Sequence, residues 1–223
     1  MLARLAPIRN WIFDLDNTLY PASARLFDRI DAKMGAYIAD RFDVDLTEAR
    51  RIQKGYFHGH GTTLAGLMAE HDVDPHAFLD FVHDIEMDAL EENAPLAAAI
   101  ARLPGRKIVF TNADTPYASK VLARLGLGES FEAIHDIHAM ELKPKPQASA
   151  YAGLCAAFGL DPHESLFVED MARNLAPAKA IGMTTVWVDN GSESGGRDAD
   201  PAFIDYRIAE VGEWLEDIMG VSA

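Results

Sequence analysis

The chain has 223 residues, 49% apolar and 25% charged, and its 20 Lys plus Arg against 35 Asp plus Glu give a formal net charge of -15. So acidic a surface repels polymeric nucleic acid and anionic membranes, so neither is expected as a partner, and an anionic ligand needs a local positive site. The length allows more than one minimal domain but not two large ones, and no signal peptide or membrane span is visible, which makes the cytoplasm the expected location.

Trp11-Ile12-Phe13 is an apolar run that stops at Asp14-Leu15-Asp16-Asn17-Thr18. It reads as a buried strand ending in a polar loop. Two carboxylates two residues apart at a strand end can serve one site, one attacking or binding metal while the other handles a proton. The plain alternative is an aspartate pair shaping a turn.

From about Pro21 to Ala101 no strand-like run occurs. Leu26, Ile30, Met34, Tyr37 and Ile38 recur at helical spacing. Pro75 after Asp74 predicts a helix start, with Phe78, Phe81, Val82 and Ile85 on its apolar side. The stretch is too long for a crossover helix, so residues 21–101 read as a helical domain inserted into a larger domain built from 1–20 and 102–223. Within it, Tyr56 to Leu67 gathers Tyr56, Phe57, His58, His60, Thr62 and Thr63 around glycines. Aromatics there can stack a planar group and hydroxyls can read its edge. Alternatively Tyr56 and Phe57 pack inside the insert and Thr62 caps a helix.

Ile108-Val109-Phe110 stops at Thr111-Asn112, where a hydroxyl and backbone N–H groups can hold phosphate oxygens. Ala133 to Ile137 is a weaker strand candidate. In Lys143-Pro144-Lys145-Pro146 a proline frame can aim a lysine at a fixed point, or the segment is an exposed linker. Leu166-Phe167-Val168 stops at Glu169-Asp170, with Asn174 beyond. Asp170 can complete a magnesium site with Asp14, or cap a helix. Thr184 to Val188 stops at Asp189-Asn190-Gly191. Helical patterns lie between, over Tyr117–Leu125, Gln147–Phe158 and Leu175–Ile181. Alternating short strands and helices predict an α/β doubly wound parallel sheet, Rossmann-like, with ligands beyond the carboxyl ends of its strands. Cys155 in its apolar run reads as a core thiol, and Gly191–Gly196 as a mobile surface loop.

The four polar strand ends, in this order and spacing, resemble the haloacid dehalogenase-like (HAD) hydrolase superfamily over nearly the whole chain. The resemblance implies an α/β core with an inserted all-helical cap, and a Mg2+-dependent phosphatase that works through an aspartyl-phosphate. It implies Asp14 as nucleophile and Asp16 as general acid/base. Thr111, Asn112 and Lys143 become the phosphate-binding set, because the family pattern puts its lysine before the first proline. Asp14, the Asp16 carbonyl and Asp170 become metal ligands, supported by Glu169 and Asn174. Asp16-Asn17-Thr18-Leu19-Tyr20-Pro21, the Gly61–Leu67 segment and Thr111-Asn112-Ala113 are similar to the pyrimidine 5′-nucleotidase branch. That similarity implies a small-molecule phosphate ester of nucleotide metabolism, a pyrimidine nucleoside 5′-monophosphate, as substrate, with Tyr56, His58, His60, Thr62 and Thr63 setting specificity from the cap. Alternatives are a sugar-phosphate phosphatase or mutase, a haloacid dehalogenase, and a non-catalytic phosphate-binding module. The chain is expected to act as a monomer or small homo-oligomer.

Overall fold

A computed structural model of the protein describes residues 5–191 and 194–220. Six strands form one wholly parallel sheet in the order β3-β2-β1-β4-β5-β6. They are β1 (Asn10–Phe13), β2 (Arg106–Phe110), β3 (Ala133–His135), β4 (Ser165–Glu169), β5 (Thr184–Val188) and β6 (Tyr206–Ile208). Ile12 is level with Ile108 on one side and Phe167 on the other, so the first strand is central. Its four residues and all five of β4 are buried, as a parallel sheet covered on both faces requires. Three helices join the strands after β2: α6 (Thr115–Arg124), α7 (Ala148–Phe158) and α8 (Ala172–Ala180). The sheet order reverses direction at β1, and the ends of β1, β2 and β4 open into one crevice.

Between β1 and β2 the longer elements are all α-helices: α1 (Leu26–Phe42), α2 (Leu46–His60), α3 (Thr63–Glu70), α4 (Pro75–His83) and α5 (Ala94–Ala101). Local chemistry starts them. Asp45 accepts from the Glu48 N–H, Thr62 from the Ala65 N–H, and Asp74 from the His76 N–H with Pro75 opening the first turn. The buried residues Ala49, Gln53 and Tyr56 make one stripe along α2. A Cβ on Gly66 would lie 2.4 Å from the Tyr56 Cβ, so the glycine is what lets α3 close on α2. The fifth helix differs from the other four: α5 packs on the C-terminal helix α9 (Val211–Met219), and the Asn93 N–H before it donates to the Leu125 carbonyl.

Three details depart from expectation. The strand β6, only three residues and half-exposed, is too short to announce itself by pattern. Cys155 is half-buried rather than sealed in the core, and that burial raises its thiol pKa. The loop expected at Gly191–Gly196 includes residues 192 and 193, which lie outside the described residues. Among the described residues, no helix is long and apolar enough to cross a membrane.

Candidate active site

The Asp14 N–H donates to the Val168 carbonyl, extending the β1–β4 ladder one residue past β1 and setting the carboxylate at the crevice floor. Asp14 is buried. Its Oδ1 accepts from Lys145 Nζ at 2.7 Å and its Oδ2 from Thr18 Oγ1 at 3.2 Å. The same threonine oxygen accepts from the Asp170 N–H, tying the loop after β1 to the loop after β4. Burial first, and the Glu169 charge second, push the Asp14 carboxyl up to about 7, against the pull of Lys145.

Asp16 sits two residues on and half-buried. Its Oδ1 accepts from Tyr20 at 2.5 Å and from Tyr117 at 2.7 Å. Burial raises its pKa, opposed by those two donors. Both tyrosines titrate well above their usual range, burial being the main cause, so both hydroxyls keep their protons and donate. His83 at the end of α4 stacks on Tyr117 at 4.3 Å and shares a 3.1 Å hydrogen bond with Asp114, the N-cap of α6. None of Tyr20, Tyr117 or His83 was singled out by sequence. Tyr20 stands four residues after Asp16, a spacing that offered a signal. Tyr117 meets Asp16 only through the tertiary fold.

The lysine at the site is Lys145, which corrects the sequence expectation of Lys143. Lys143 lies on the surface with its side chain 52% exposed and paired to Glu141. Lys145 is 1% exposed, and its Nζ donates to Asp14 Oδ1, Glu169 Oε2 and the Phe110 carbonyl at 2.7 to 2.8 Å. Asn112 explains the choice. Its Oδ1 accepts from the Lys145 N–H at 2.8 Å and its Nδ2 donates to the Lys145 carbonyl at 3.2 Å. The Asn112 side chain is thus committed to aiming Lys145 rather than to holding phosphate. Thr111 is buried beside it on the cavity wall, accepting from the Ala113 N–H.

Asp14, Glu169 and Asp170 each bring a carboxylate oxygen to within 4.8 Å of the others, all three buried. One buried ammonium faces this group, so it carries excess negative charge that an added cation would offset. Asn174 points the same way: it lines the cavity and its Oδ1 is buried with no hydrogen-bond partner. Hard oxygen donors of this kind fit Mg2+.

Above this floor lies a cavity of about 470 Å³. Thr62 and Thr63 are on its wall, although Thr62 also caps α3. The other three cap residues expected there are elsewhere. Tyr56 is buried in the insert with its hydroxyl 2.7 Å from His71 Nε2. His60 pairs with Glu70, and His58 is exposed beside Arg197. Helical spacing accounts for this: Phe57 follows the cavity-lining Gln53 by four residues and shares its side of α2, whereas Tyr56 is rotated away to meet His71. Arg173, one turn past Asp170, lies 4.2 Å from the Phe57 ring and donates to the Gly61 carbonyl at 2.8 Å.

A sequence model described as haloacid dehalogenase-like hydrolase matches residues 8–182. Phosphate metabolism protein 8 of Saccharomyces cerevisiae is 23% identical over 190 residues, taking in 78% of this chain but 59% of the yeast protein, so the chain spans about three fifths of that relative. Phosphoglycolate phosphatase of Pectobacterium atrosepticum is 27% identical over 207 residues, or 87% of this chain and 86% of the relative. The crystal structure of a HAD phosphatase from Thermococcus onnurineus superposes with a TM-score of 0.63 at 17% identity, covering 96% of this chain and 99% of the other, which is a likeness of fold.

Proposed function

The chain belongs to the haloacid dehalogenase-like hydrolase family, and from that premise we propose that it hydrolyses phosphate monoesters through an aspartyl-phosphate on Asp14, with pyrimidine nucleoside 5′-monophosphates as its substrates. The observation that carries the reading is the pairing of two differently held carboxyls at one strand end. Asp14 is gripped by Lys145 and Thr18 at the cavity floor. Asp16 is held by two tyrosines with its pKa raised, poised to give up a proton.

The chemistry follows from those positions. Asp14 attacks phosphorus and the P–O bond to the leaving group breaks. Asp16 gives its proton to the departing alkoxide. Asp16 then takes a proton from water, whose oxygen attacks phosphorus and releases Asp14 and inorganic phosphate. Lys145 and the Thr111 hydroxyl face the charge that builds on the phosphoryl oxygens. Asp14, Asp170 and the Asp16 carbonyl would hold Mg2+, with Glu169 and Asn174 in support. The ion supplies charge neutralisation that lets an anionic nucleophile meet an anionic ester.

Helices α1 to α4 are proposed as the cap and α5 as part of the α/β domain, because α5 packs on α9. On this proposal the cap ends in the loop after His83 rather than at residue 101. The cavity supports a nucleotide over a two-carbon ester such as phosphoglycolate. Its volume lies within the range of sites for drug-sized ligands, and Phe57, Leu64 and Phe78 give it apolar walls.

The test is kcat/KM with Mg2+ for UMP and CMP against AMP, GMP, phosphoglycolate and hexose phosphates, together with Asp14→Asn. The pyrimidine nucleotides should lead, and label from a trapped phosphoenzyme should map to Asp14. A tenfold preference for another ester defeats the nucleotide reading. Label on another side chain defeats the mechanism.

A further inference from the structure

The cavity has a second polar end, on the cap. Gln53 is 2% exposed, yet it lines the cavity. Its Nε2 donates to Asp31 Oδ1 at 2.7 Å. Asp31 is surrounded by donors, with Lys54 at 3.3 Å on the same oxygen and Arg50 at 2.9 Å on the other. A carboxylate so placed accepts only, so the Gln53 amide has one workable orientation: nitrogen toward Asp31, oxygen away from it. That oxygen accepts no hydrogen bond from any described residue. Nor is it among the partnerless atoms sealed from solvent, which are on His135, Arg173, Asn174 and Trp214.

A nearly buried carbonyl oxygen, fixed in direction and lacking a donor, is an unmet acceptor. Ile30, Met34, Phe57 and Leu64 also line the cavity and offer only apolar surface. A substrate in this cavity therefore meets charge at the phosphoryl end, apolar walls from Ile30, Met34, Phe57 and Leu64 along its body, and at the cap end the Gln53 oxygen beside Asp31 and Lys54, whose charges are already paired with each other.

We propose that Gln53 is a specificity residue, whose Oε1 accepts a hydrogen bond from an N–H on the leaving group, remote from phosphorus. The inference rests on the reading of this site as a phosphatase. It asks more of the substrate than that reading does: a flat, largely apolar body ending in a ring or amide N–H. The N3–H of uracil and the exocyclic amino group of cytosine have that chemistry.

The test uses an isosteric pair of aryl phosphates, so that it stands apart from the choice of natural substrate. In 4-(acetylamino)phenyl phosphate the ring carries an N–H. In 4-(2-oxopropyl)phenyl phosphate a CH2 replaces it. The full-length enzyme with Mg2+ should favour the N–H ester in kcat/KM by about 10- to 100-fold, the value of one buried hydrogen bond left unmade. Gln53→Met keeps the side-chain length and removes the amide. It should bring the ratio to about one while leaving p-nitrophenyl phosphate within a few-fold of wild type. UMP against 3-methyl-UMP should repeat the pattern.

No preference in the wild-type enzyme overturns the inference, and that measurement depends on no variant. An undiminished preference in Gln53→Met overturns it, as does an equal loss on all esters, which marks Gln53 as merely structural. Turnover of aryl phosphates but not nucleotides would defeat the nucleotide reading and leave the aryl comparison decisive. Absence of all phosphatase activity would defeat both.

Discussion

Lys145→Met is the perturbation that most directly tests the site. The wild-type ammonium is 1% exposed and holds Asp14, Glu169 and the Phe110 carbonyl together. Its removal leaves two buried carboxylates facing each other, and breaking one partner of a buried ion pair typically costs about 3–5 kcal/mol. Protonation limits that loss. Asp14 already titrates at about 7 against its ordinary 3.8, and Lys145 is a group that lowers it. Without the lysine the carboxyl moves higher still. A carboxyl whose folded pKa exceeds its unfolded one binds its proton more tightly when folded, so stability declines as pH rises from about 4 through 7. The destabilisation by Lys145→Met should therefore be smaller at pH 5.5 than at pH 8, read by thermal melts of both proteins across that range. Loss of one preorganised charge on the reacting phosphoryl should lower kcat/KM by about 10²–10³-fold. Lys143→Ala, removing an exposed side chain paired to Glu141, should stay within about 0.5 kcal/mol and about twofold in activity. A Lys145→Met enzyme with more than a tenth of wild-type activity, or a Lys143→Ala enzyme that is the worse of the two, refutes the assignment.

Metal binding should be proton-linked. The Asp14 proton competes with Mg2+, so the apparent affinity should fall about tenfold per pH unit below about 7, and a flat Mg2+ activation constant between pH 8 and 5.5 would contradict this. Tyr117→Phe removes one of two donors that lower the Asp16 pKa, so the alkaline limb of kcat on an alkyl phosphate should move up; an unmoved limb would deny Tyr117 that influence. Asp16→Asn should slow an alkyl phosphate far more than p-nitrophenyl phosphate, whose leaving group needs little protonation, and equal losses would remove Asp16 from acid catalysis. Thr62→Ala should cost about 1 kcal/mol as a lost helix cap with kcat/KM changed only a few-fold, and a hundredfold kinetic loss would instead make it a substrate contact.

The parts of the fold legible in the sequence are those where one physical signal dominates. Buried parallel strands are short and apolar, so β1, β2, β4 and β5 showed as runs that stop at polar residues, and the crevice followed from where they stop. The helical insert showed because no run between Pro21 and Ala101 could be a strand. Where two neighbouring residues compete for one direction, the sequence falls short. Lys143 and Lys145 share the same proline frame, and the choice between them is made by Asn112, which is 33 residues away along the chain and grips the Lys145 backbone at both its N–H and its carbonyl. Tyr56 and Phe57 compete likewise, and of the two only Phe57 stands four residues from Gln53 on the cavity side of α2, while Tyr56 is buried against His71. Gln53 carries no signal in the sequence, because a glutamine in a helix is ordinary. Only the ring of donors around Asp31 fixes which way its amide points.

The family takes its name from dehalogenation, and the acid role proposed for Asp16 separates that chemistry from phosphoester hydrolysis. Both reactions can begin with attack by an aspartate such as Asp14. A halide departs as a stable anion and needs no proton. An alkoxide departing from phosphorus does need one, and the later attack of water on the phosphoenzyme needs that proton taken up again. A residue for that exchange must be protonatable at working pH and fixed near the leaving oxygen. Asp16 has the raised pKa and two tyrosine hydroxyls holding Oδ1, an arrangement with no task in expelling a halide. The cluster of Asp14, Glu169 and Asp170 argues in the same direction. Its excess negative charge would oppose a carboxylate nucleophile approaching any anionic substrate, unless a cation joins it. A phosphate ester with Mg2+ completes that charge balance, whereas a haloacid brings one more carboxylate to a site already crowded with them.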